Sequence, residues 1–483
     1  GDTHHVHLSY NNGTYDGKYA FVNDKSQSRL ARIRLDYMET DAIVHIPNSQ
    51  GIHGIFPSRT KLDAVYCNAE FHIPFPNDGR DLEDHKKYVA MHTCVDASSM
   101  KIRWQVIVDG NLDLCATDYN GKYSMGTCYN SENGVVLDEM MSADRDYLTV
   151  FNLKKIEEAV SSGLGFYINK EEAPVLDGRG KNPYVLYIPI PKNPHGVNVD
   201  PKGKYAICAG KLSPTVSVIS FECIDKAFAG IITNPRDCVV AEPEVGLGPL
   251  HTAFDNDGKA YTSIFLDSVI TKWDIEKAIK DKEHSPVIQK IDVHYQVGHI
   301  NASMSETKNA DGKYIVSLNK FSKDRFLSVG PYYPDNDQLI GIAGKKMELL
   351  HDTPVCPEPH DAVIVDRSLI KTKQIWDIND YKFSYEKNLV KQLGVELGSN
   401  KVIRRNNQVY AVMSSVAPNF GLTSIRVNLG DEVTIIQTNM DKIEDLTHGF
   451  CLSMYNINFG VSPMETVSVT FLADKKGVFW YYC

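Results

Sequence analysis

Histidines are the residues of this 483-residue sequence whose positions most strongly suggest chemistry. Several of the 16 precede a glycine turn at a similar distance: His195 stands 8 residues before Gly203, and His251 stands 7 before Gly258. Seven share such a position ahead of a turn or an apolar strand: His4, His5, His53, His195, His251, His299 and His360. From the second of these onward the gaps are 48, 142, 56, 48 and 61 residues, which suggests a structural repeat.

Imidazole rings that converge from such a repeat would bind a transition metal. Imidazole suits copper, zinc, iron and nickel, whereas magnesium and calcium prefer oxygen ligands. Seven rings exceed the needs of one tetrahedral zinc, so the set favours a multinuclear cluster. A single histidine near a turn is usually a hydrogen-bonded surface residue. We expect structural or surface roles for the histidines without this register: His7, His45, His72, His85, His92, His284, His294 and His351.

A second possible metal site lies near the end of the sequence. His448 follows an acidic loop, and Cys483 comes 35 residues later, after an aromatic segment. A thiolate beside imidazoles favours copper, as in copper-binding β-sandwiches. We therefore consider His448 and Cys483 as copper ligands, although an ordinary sandwich explains their spacing equally well.

A repeated element would position the seven histidines: a glycine turn followed by two short strands. Turns at Gly203, Gly258 and Gly312 are 55 and 54 residues apart, Gly17 begins another copy, and Gly121 begins a weaker one. Repeats of roughly 40–50 residues with four strands are typical of β-propeller blades. Equivalent positions of a propeller surround one axis, so its inner loops would bring the histidines together. A multi-sheet β protein without such an axis is the alternative.

The region after residue 402 lacks this repeat. A small β-sandwich is predicted by strand-like segments at 408–413, 424–427, 432–437, 467–472 and 477–482. The charged stretch 385–400 is predicted to be a linker. Short helices are predicted at 156–160 and 275–279. The sequence therefore predicts an all-β protein with a propeller over residues 1–395 and a sandwich over residues 402–483.

Composition excludes other classes of function. The net charge of −10, without a long basic run, gives no support for nucleic-acid binding. No run of 18 apolar residues predicts a membrane span. The 10 cysteines form no CxxC pair, which argues against a zinc ribbon and covalently attached haem.

At these histidines the chain resembles the nitrous oxide reductases, over essentially its whole length. The matching segments follow the family order at residues 1–7, 51–54, 193–196, 246–254, 293–299, 320–326, 358–361 and 445–450. The resemblance implies a seven-bladed β-propeller followed by a C-terminal cupredoxin domain, a Greek-key β-sandwich. It also implies a head-to-tail homodimer in the periplasm.

The resemblance further implies roles for individual residues. The seven histidines match the ligands of a four-copper sulfide cluster. Lys320 and Glu358 match residues beside that cluster, where the lysine would stabilise bound substrate or developing oxide charge; a surface lysine is the alternative. Asp2 matches a carboxylate that orients a ligating histidine. A calcium site is implied at Tyr129, Glu132, Met140 through its backbone oxygen, Asp146 and Asn193.

His448 and Cys483 resemble ligands of the family's dinuclear CuA centre. The family continues after this cysteine with a tryptophan, a second cysteine, a histidine and a methionine, so we expect CuA to need residues after Cys483. The sequence starts without methionine, and we expect it to be a fragment that lacks both termini but retains all seven cluster histidines.

The activity implied by the resemblance is the two-electron reduction of nitrous oxide to dinitrogen and water in denitrification. Electrons would pass from a cytochrome c or small cupredoxin through CuA to the cluster. The alternative from another class is a non-catalytic secreted propeller with a degenerate copper domain, which would not need seven histidines. A multicopper oxidase or nitrite reductase would hold copper in cupredoxin domains only.

Overall fold

The computed structural model describes residues 2–129, 145–166, 173–322, 335–355, 358–373, 385–442 and 446–483. The described residues are mainly β-structure, as predicted, and they divide into two compact units. The first unit comprises the described parts of 2–322 and 335–373, and the second comprises the described part of 385–483.

Six sheets form the described part of the first unit. The first contains, in spatial order, β1 (Val6–Asn11), β2 (Thr14–Asp24), β3 (Arg29–Arg34) and β4 (Glu39–His45). The second contains β5 (Gln50–Pro57), β6 (Ala64–Phe71), β8 (Tyr88–Asp96), β9 (Ile102–Val108) and a parallel β13 (Val175–Asp177), with β7 (Ile73–Pro74) paired to β8. The third contains β10 (Cys115–Thr117), β11 (Tyr123–Cys128), β12 (Tyr147–Asn152) and β14 (Val185–Pro189).

The remaining three sheets are simple antiparallel meanders. The fourth contains β15 (Pro194–Val199), β16 (Tyr205–Gly210), β17 (Val216–Ser220) and β18 (Val239–Ala241). The fifth contains β19 (Pro249–Phe254), β20 (Lys259–Ile264), β21 (Val269–Asp274) and β22 (Val287–Asp292). The sixth contains β23 (Val297–Ala302), β24 (Tyr314–Asn319), β25 (Asn336–Gly341) and β26 (Glu348–Pro354).

The first strands of successive sheets contact one another, from β1 through β5, β10, β15 and β19 to β23. They line a common axis and are almost wholly buried, whereas outer strands such as β4 and β22 are exposed on one face or along most of their length. This radial order of six sheets, five of them four-stranded, is a β-propeller, as the repeat predicted. The turn glycines Gly203, Gly258 and Gly312 lie between the first and second strands of their sheets with φ of 65°, 79° and 64°.

Two glycines on the inner strands allow the sheets to meet closely at the axis. A Cβ on Gly196 would lie 2.0 Å from the backbone oxygen of Leu250, and one on Gly54 would lie 2.4 Å from that of Asp113. Both distances are below van der Waals contact, so any side chain there would force neighbouring sheets apart.

Four α-helices accompany the sheets in the described residues: α1 (Leu153–Ser161), α2 (Phe221–Phe228), α3 (Ile275–Lys280) and α4 (Tyr385–Gln392). The predictions of α1 and α3 are confirmed. The linker predicted over 385–400 is partly wrong, because α4 buries Val390 in a cluster with Leu393, Val412 and Ile436. None of the described helices is long and apolar enough to cross a membrane.

The second unit consists of two packed sheets. The larger contains β27 (Lys401–Arg405), β28 (Gln408–Val416), β30 (Glu432–Asn439) and β33 (Thr466–Leu472), with β29 (Asn419–Phe420) paired to β28. The smaller contains β31 (His448–Leu452) and β32 (Ile457–Val461), and a shared core includes Met413, Ile435 and Phe450. The strands predicted at 424–427 and 477–482 are wrong: the former is mostly exposed, and in the latter only Tyr482 pairs, in a single bridge to Cys451.

Candidate metal centre

The seven histidines predicted as ligands come together at the propeller axis; we call them the histidine cluster. Four lie within the first strands of their sheets rather than in loops: His53 in β5, His195 in β15, His251 in β19 and His299 in β23. His4 and His5 directly precede β1, and His360 lies in a described stretch, 358–366, without helix or strand.

An irregularity in strand pairing accompanies each of the four histidines within strands. The register shifts between Ile52 and Ile55, between Pro194 and Val197, between Pro249 and Thr252, and between Val297 and Ile300. Such bulges redirect side chains and are frequent beside active sites. The same local distortion therefore presents an imidazole from each of these four sheets.

The rings form one continuous cluster. Ring centroids lie 3.7 Å apart for His251 and His299, 4.1 Å for His4 and His360, 4.4 Å for His299 and His360, and 4.8 Å for His195 and His251. Nitrogen atoms lie within 4.8 Å of one another in three triplets that together include all seven: His4, His53 and His360; His5, His299 and His360; His195, His251 and His299.

Most of these rings bury a nitrogen that has no hydrogen-bond partner. The atoms are His4 Nδ1, His5 Nε2, His53 Nε2, His251 Nε2, both ring nitrogens of His299, and His360 Nε2. By contrast, buried His92 bonds through both nitrogens, to Asn68 and Ser124, which agrees with the structural role expected of it. An unpartnered buried polar atom costs about 1–3 kcal/mol. Metal coordination would satisfy these nitrogens, so the donor set fits a metal cluster.

Burial favours the neutral form in most of these rings, the form that coordinates metal. Desolvation lowers the pKa of His195 to about 4, and it lowers the pKa values of His5 and His251 well below the usual range. Neighbouring imidazoles lower the pKa values of His5 and His251 further. The ring nitrogens can therefore offer lone pairs across the physiological pH range.

Carboxylates contact one ring nitrogen of several cluster histidines. Asp113 bridges His53 and His195: one carboxylate oxygen accepts from His53 Nδ1, and the other from His195 Nδ1 at 2.5 Å. Asp361 Oδ2 lies 3.5 Å from His5 Nδ1, and Asp2 Oδ1 lies 2.9 Å from His4 Nε2. In His4, His5 and His53, the nitrogen opposite the carboxylate is the unpartnered one, which is the arrangement of metal-bound histidines.

Asp113 and Asp361 were missed by the sequence reasoning. Asp113 stands 8 residues before the weak turn at Gly121, the same distance that separates His195 from Gly203. The third sheet thus supplies a carboxylate at the repeat position where other sheets supply an imidazole. Comparing all repeat positions, rather than histidines alone, would have found it.

Lys320 lies beside the histidine cluster and is largely buried. Its Nζ donates to the backbone oxygen of Pro359 at 2.8 Å and lies 3.4 Å from His360 Nδ1. The carboxylate of Glu358 is 3.5 Å from this Nζ and is 71% exposed, against 17% for the lysine side chain. Burial lowers the pKa of Lys320. Lys320 is therefore buried beside the cluster, and Glu358 contacts its ammonium from the solvent side.

Part of the predicted calcium site can be described. Asp146 Oδ2 accepts the backbone N–H of Asn193 at 2.9 Å. The backbone N–H of Lys211 donates to the oxygen of Asn193, and its ammonium lies 5.0 Å from the ring centre of Tyr129. Glu132 and Met140 lie outside the described residues. Of this set the structure thus joins Asp146 and Asn193, whereas Tyr129 contacts the side chain of Lys211.

The second unit places His448 and Cys483 on neighbouring backbone. His448 begins β31, and its Nε2 lies 2.7 Å from Asp441 Oδ2. The backbone N–H of Gly449 donates to the sulfur of Cys483 at 3.1 Å.

Comparison with known proteins gives matches along the chain. The model of the nitrous oxide reductase propeller repeat matches residues 290–360, and that of propeller repeat 2 matches residues 46–114. The nitrous-oxide reductase of Stutzerimonas stutzeri is 49% identical, with 100% of this chain and 77% of that protein covered. The enzymes of Ralstonia nicotianae and Cupriavidus necator are each 50% identical, with 100% of this chain and 76% of each relative covered.

Proposed function

The chain belongs to the nitrous-oxide reductase family, and we propose that its histidine cluster is the copper site at which nitrous oxide is reduced. The enzyme converts nitrous oxide, two electrons and two protons to dinitrogen and water in denitrification. The convergence of seven imidazoles with unpartnered buried nitrogens carries the assignment of the site.

The seven histidines would hold a four-copper sulfide cluster. When bound, the cluster supplies the electrons and the Lewis acidity for reduction of nitrous oxide. Asp113, Asp361 and Asp2 would orient ligand rings through the nitrogens that face away from the metal. Burial of the rings excludes water from most of the site.

Lys320 and Glu358 would act on the substrate side of the site. The ammonium of Lys320 can donate a hydrogen bond to an oxygen atom near His360 and stabilise negative charge as the N–O bond breaks. Glu358 would hold that ammonium in place from the solvent side.

The fold supports two finer proposals. Residues 358–366 bond to both ends of the described ring of sheets, since Asp361 accepts the N–H of Val6 and Ile364 accepts that of Met304. This segment would begin a seventh blade of the propeller domain, which was predicted over residues 1–395. Because α4 packs within the second unit, the domain would end before residue 385. The two packed sheets of the second unit would form a cupredoxin domain over residues 402–483.

Other proposals rest on the family resemblance. His448 and Cys483 would bind copper in a CuA centre that receives electrons from a cytochrome c or small cupredoxin. A head-to-tail homodimer in the periplasm would place CuA of one subunit beside the cluster of the other. Tyr129, Glu132, Met140, Asp146 and Asn193 would bind calcium.

Metal analysis and turnover together test the proposed function. The purified protein should contain several copper ions and acid-labile sulfide per subunit, and it should oxidise a reduced dye only when nitrous oxide is present. His251→Ala and His299→Ala should each lose copper, sulfide and turnover. His284→Ala is the matched control, because this exposed ring pairs with Asp281 and belongs to none of the described groups of cluster histidines. Copper-loaded protein with intact ligands but no turnover would contradict the proposal.

A further inference from the structure

A buried asparagine of the first sheet connects the two backbone segments that carry three of the cluster histidines. Asn23, near the end of β2, is completely buried. Its Oδ1 accepts the backbone N–H groups of His4 at 3.2 Å and His5 at 2.6 Å. Its Nδ2 donates to the backbone oxygens of Ile52 at 2.7 Å and His53 at 3.0 Å. These four bonds use the full capacity of a side-chain amide.

Both segments need a partner of this kind. His4 and His5 precede β1, so their N–H groups lie outside the regular strand pairing of the first sheet. Ile52 and His53 lie at the bulge of β5, where the regular pairing with β6 is interrupted. A buried backbone group without a hydrogen bond is costly, so the amide of Asn23 compensates for two departures from sheet structure.

The residues after Asn23 extend the attachment of the N-terminal segment. Asp24 Oδ1 accepts the backbone N–H of Asp2 at 3.0 Å, and the N–H of Lys25 donates to the oxygen of Asp2 at 2.8 Å. These bonds hold the segment before His4, but they do not reach β5. Among the side chains described, Asn23 is the one seen to bond the backbone of both segments.

We propose that Asn23 is a positioning residue of the copper site, which sets the separation between the His4–His5 pair and His53. The ring of His53 lies 5.0 Å from that of His4 and 4.9 Å from that of His5. These rings come from different sheets, and Asn23 bonds directly to the backbone of each. This inference rests on the proposed function, because it assumes that the three rings bind the same metal cluster.

Replacing Asn23 with aspartate tests the role with little change in shape. Asn23→Asp retains an oxygen for the N–H groups of His4 and His5, but it directs a second oxygen at the carbonyl of His53. We expect copper to bind roughly 10- to 100-fold more weakly, as is typical when a partner of a metal ligand is lost. We also expect the visible and EPR spectra of the remaining metal to change. Asn23→Ser, which keeps one donor and one acceptor, should lie between Asn23→Asp and wild type.

Gln105 provides the matched control. This buried amide of β9 also connects separate segments, through bonds to Pro47, Thr93 and Asn48, none of which is a cluster histidine. Gln105→Glu should lower thermal stability but leave copper per folded subunit and the spectra unchanged.

The outcomes separate this inference from the proposed function. Wild-type copper content and spectra in Asn23→Asp would overturn the role of Asn23 and leave the proposed function intact. Equal copper loss in Gln105→Glu and Asn23→Asp would also overturn it, because general destabilisation would then suffice. Absence of copper from the wild-type protein would overturn both. If Asn23→Asp does not fold, Asn23→Ser and Gln105→Glu give the same comparison.

Discussion

At the scale of single residues, the site depends on which nitrogen of each histidine is occupied by a protein partner. Asp113 accepts from the Nδ1 atoms of His53 and His195, so Nε2 of His53 is left free toward the cluster. Burial alone would raise the pKa of Asp113, but the two imidazoles beside it hold that pKa well below its usual range. The carboxylate therefore stays ionised and fixes the orientation of both rings.

Asp113→Asn should weaken copper binding. The amide can neither carry the negative charge nor accept from both rings, so we expect roughly a 10- to 100-fold loss of copper affinity and a similar loss of turnover. Copper titration of the apoprotein measures the first effect. Asp118→Asn is the control: this buried carboxylate of the same sheet bonds to turn N–H groups and to none of the histidines. Wild-type copper affinity in Asp113→Asn would contradict the role.

Asp337, in β25 of the sixth sheet and not itself a proposed ligand, gives a prediction about pH and stability. Burial raises the pKa of this carboxyl to about 6, and its Oδ1 is buried without a partner. A pKa that is higher in the folded state means that ionisation of Asp337 destabilises the fold. This destabilisation is absent at pH values below the ordinary pKa of 3.8 and is complete above pH 6.

Asp337→Asn should therefore stabilise the protein at pH 8 but not at pH 3.5. We expect about 1 kcal/mol at the higher pH, less than the full linkage value because the carboxyl is partly exposed. Thermal unfolding at both pH values measures the difference. Asp292→Asn, on exposed strand β22, should change stability little at either pH. An equal gain at both pH values would exclude ionisation as the cause.

At the scale of elements, bulges and glycines on the inner strands place the rings. Bulges at four first strands turn a histidine toward the axis, and Gly54 and Gly196 remove the side chains that would keep neighbouring sheets apart. Each of these glycines directly follows a cluster histidine in the sequence. In each of these two histidine–glycine pairs, the histidine therefore supplies a converging ring and the glycine allows the neighbouring sheets to meet.

Gly196→Ala should separate the fourth and fifth sheets. Its Cβ would lie 2.0 Å from the backbone oxygen of Leu250, which cannot move without shifting β19 and His251. We expect a loss of about 3 kcal/mol or more in unfolding free energy, together with loss of copper. Gly344→Ala, whose Cβ would meet only ordinary contacts, should change stability by about 0.5 kcal/mol or less. Normal copper content in Gly196→Ala would show that the sheets can adjust.

At the scale of the whole molecule, the two proposed copper sites belong to separate units. The histidine cluster lies within the first unit, whereas His448 and Cys483 lie within the second. His448→Ala should therefore abolish turnover with a protein electron donor but leave copper in the histidine cluster. Metal analysis and activity measure the two effects, with His351→Ala on exposed strand β26 as the control. Loss of cluster copper in His448→Ala would contradict the independence of the sites.

Local patterns in the sequence were sufficient to predict the main architecture and the convergence of the seven histidines. Glycine turns repeat about once per blade, alternating strands follow them, and the histidines keep a similar register, so each signal lies within one repeat. The helix α4 escaped prediction because its apolar face is short and interrupted by charge. The segments 424–427 and 477–482 have strand composition, but only a pairing partner makes a strand.

Tertiary structure alone decided how the rings are held. Asp113 acts on His53 and His195 from a different sheet, and Asn23 acts on His53 from 30 residues away. In the sequence Asp113 is marked only by its distance of 8 residues from Gly121. Nothing in the local sequence marks Asn23, since an asparagine near a strand end is ordinary turn composition. Their partners are defined only when the sheets close around a common axis, which brings distant backbone within hydrogen-bonding distance. The sequence thus indicated which side chains would bind copper at the proposed site, and the packing of the sheets around the axis determined which residues hold those side chains in place.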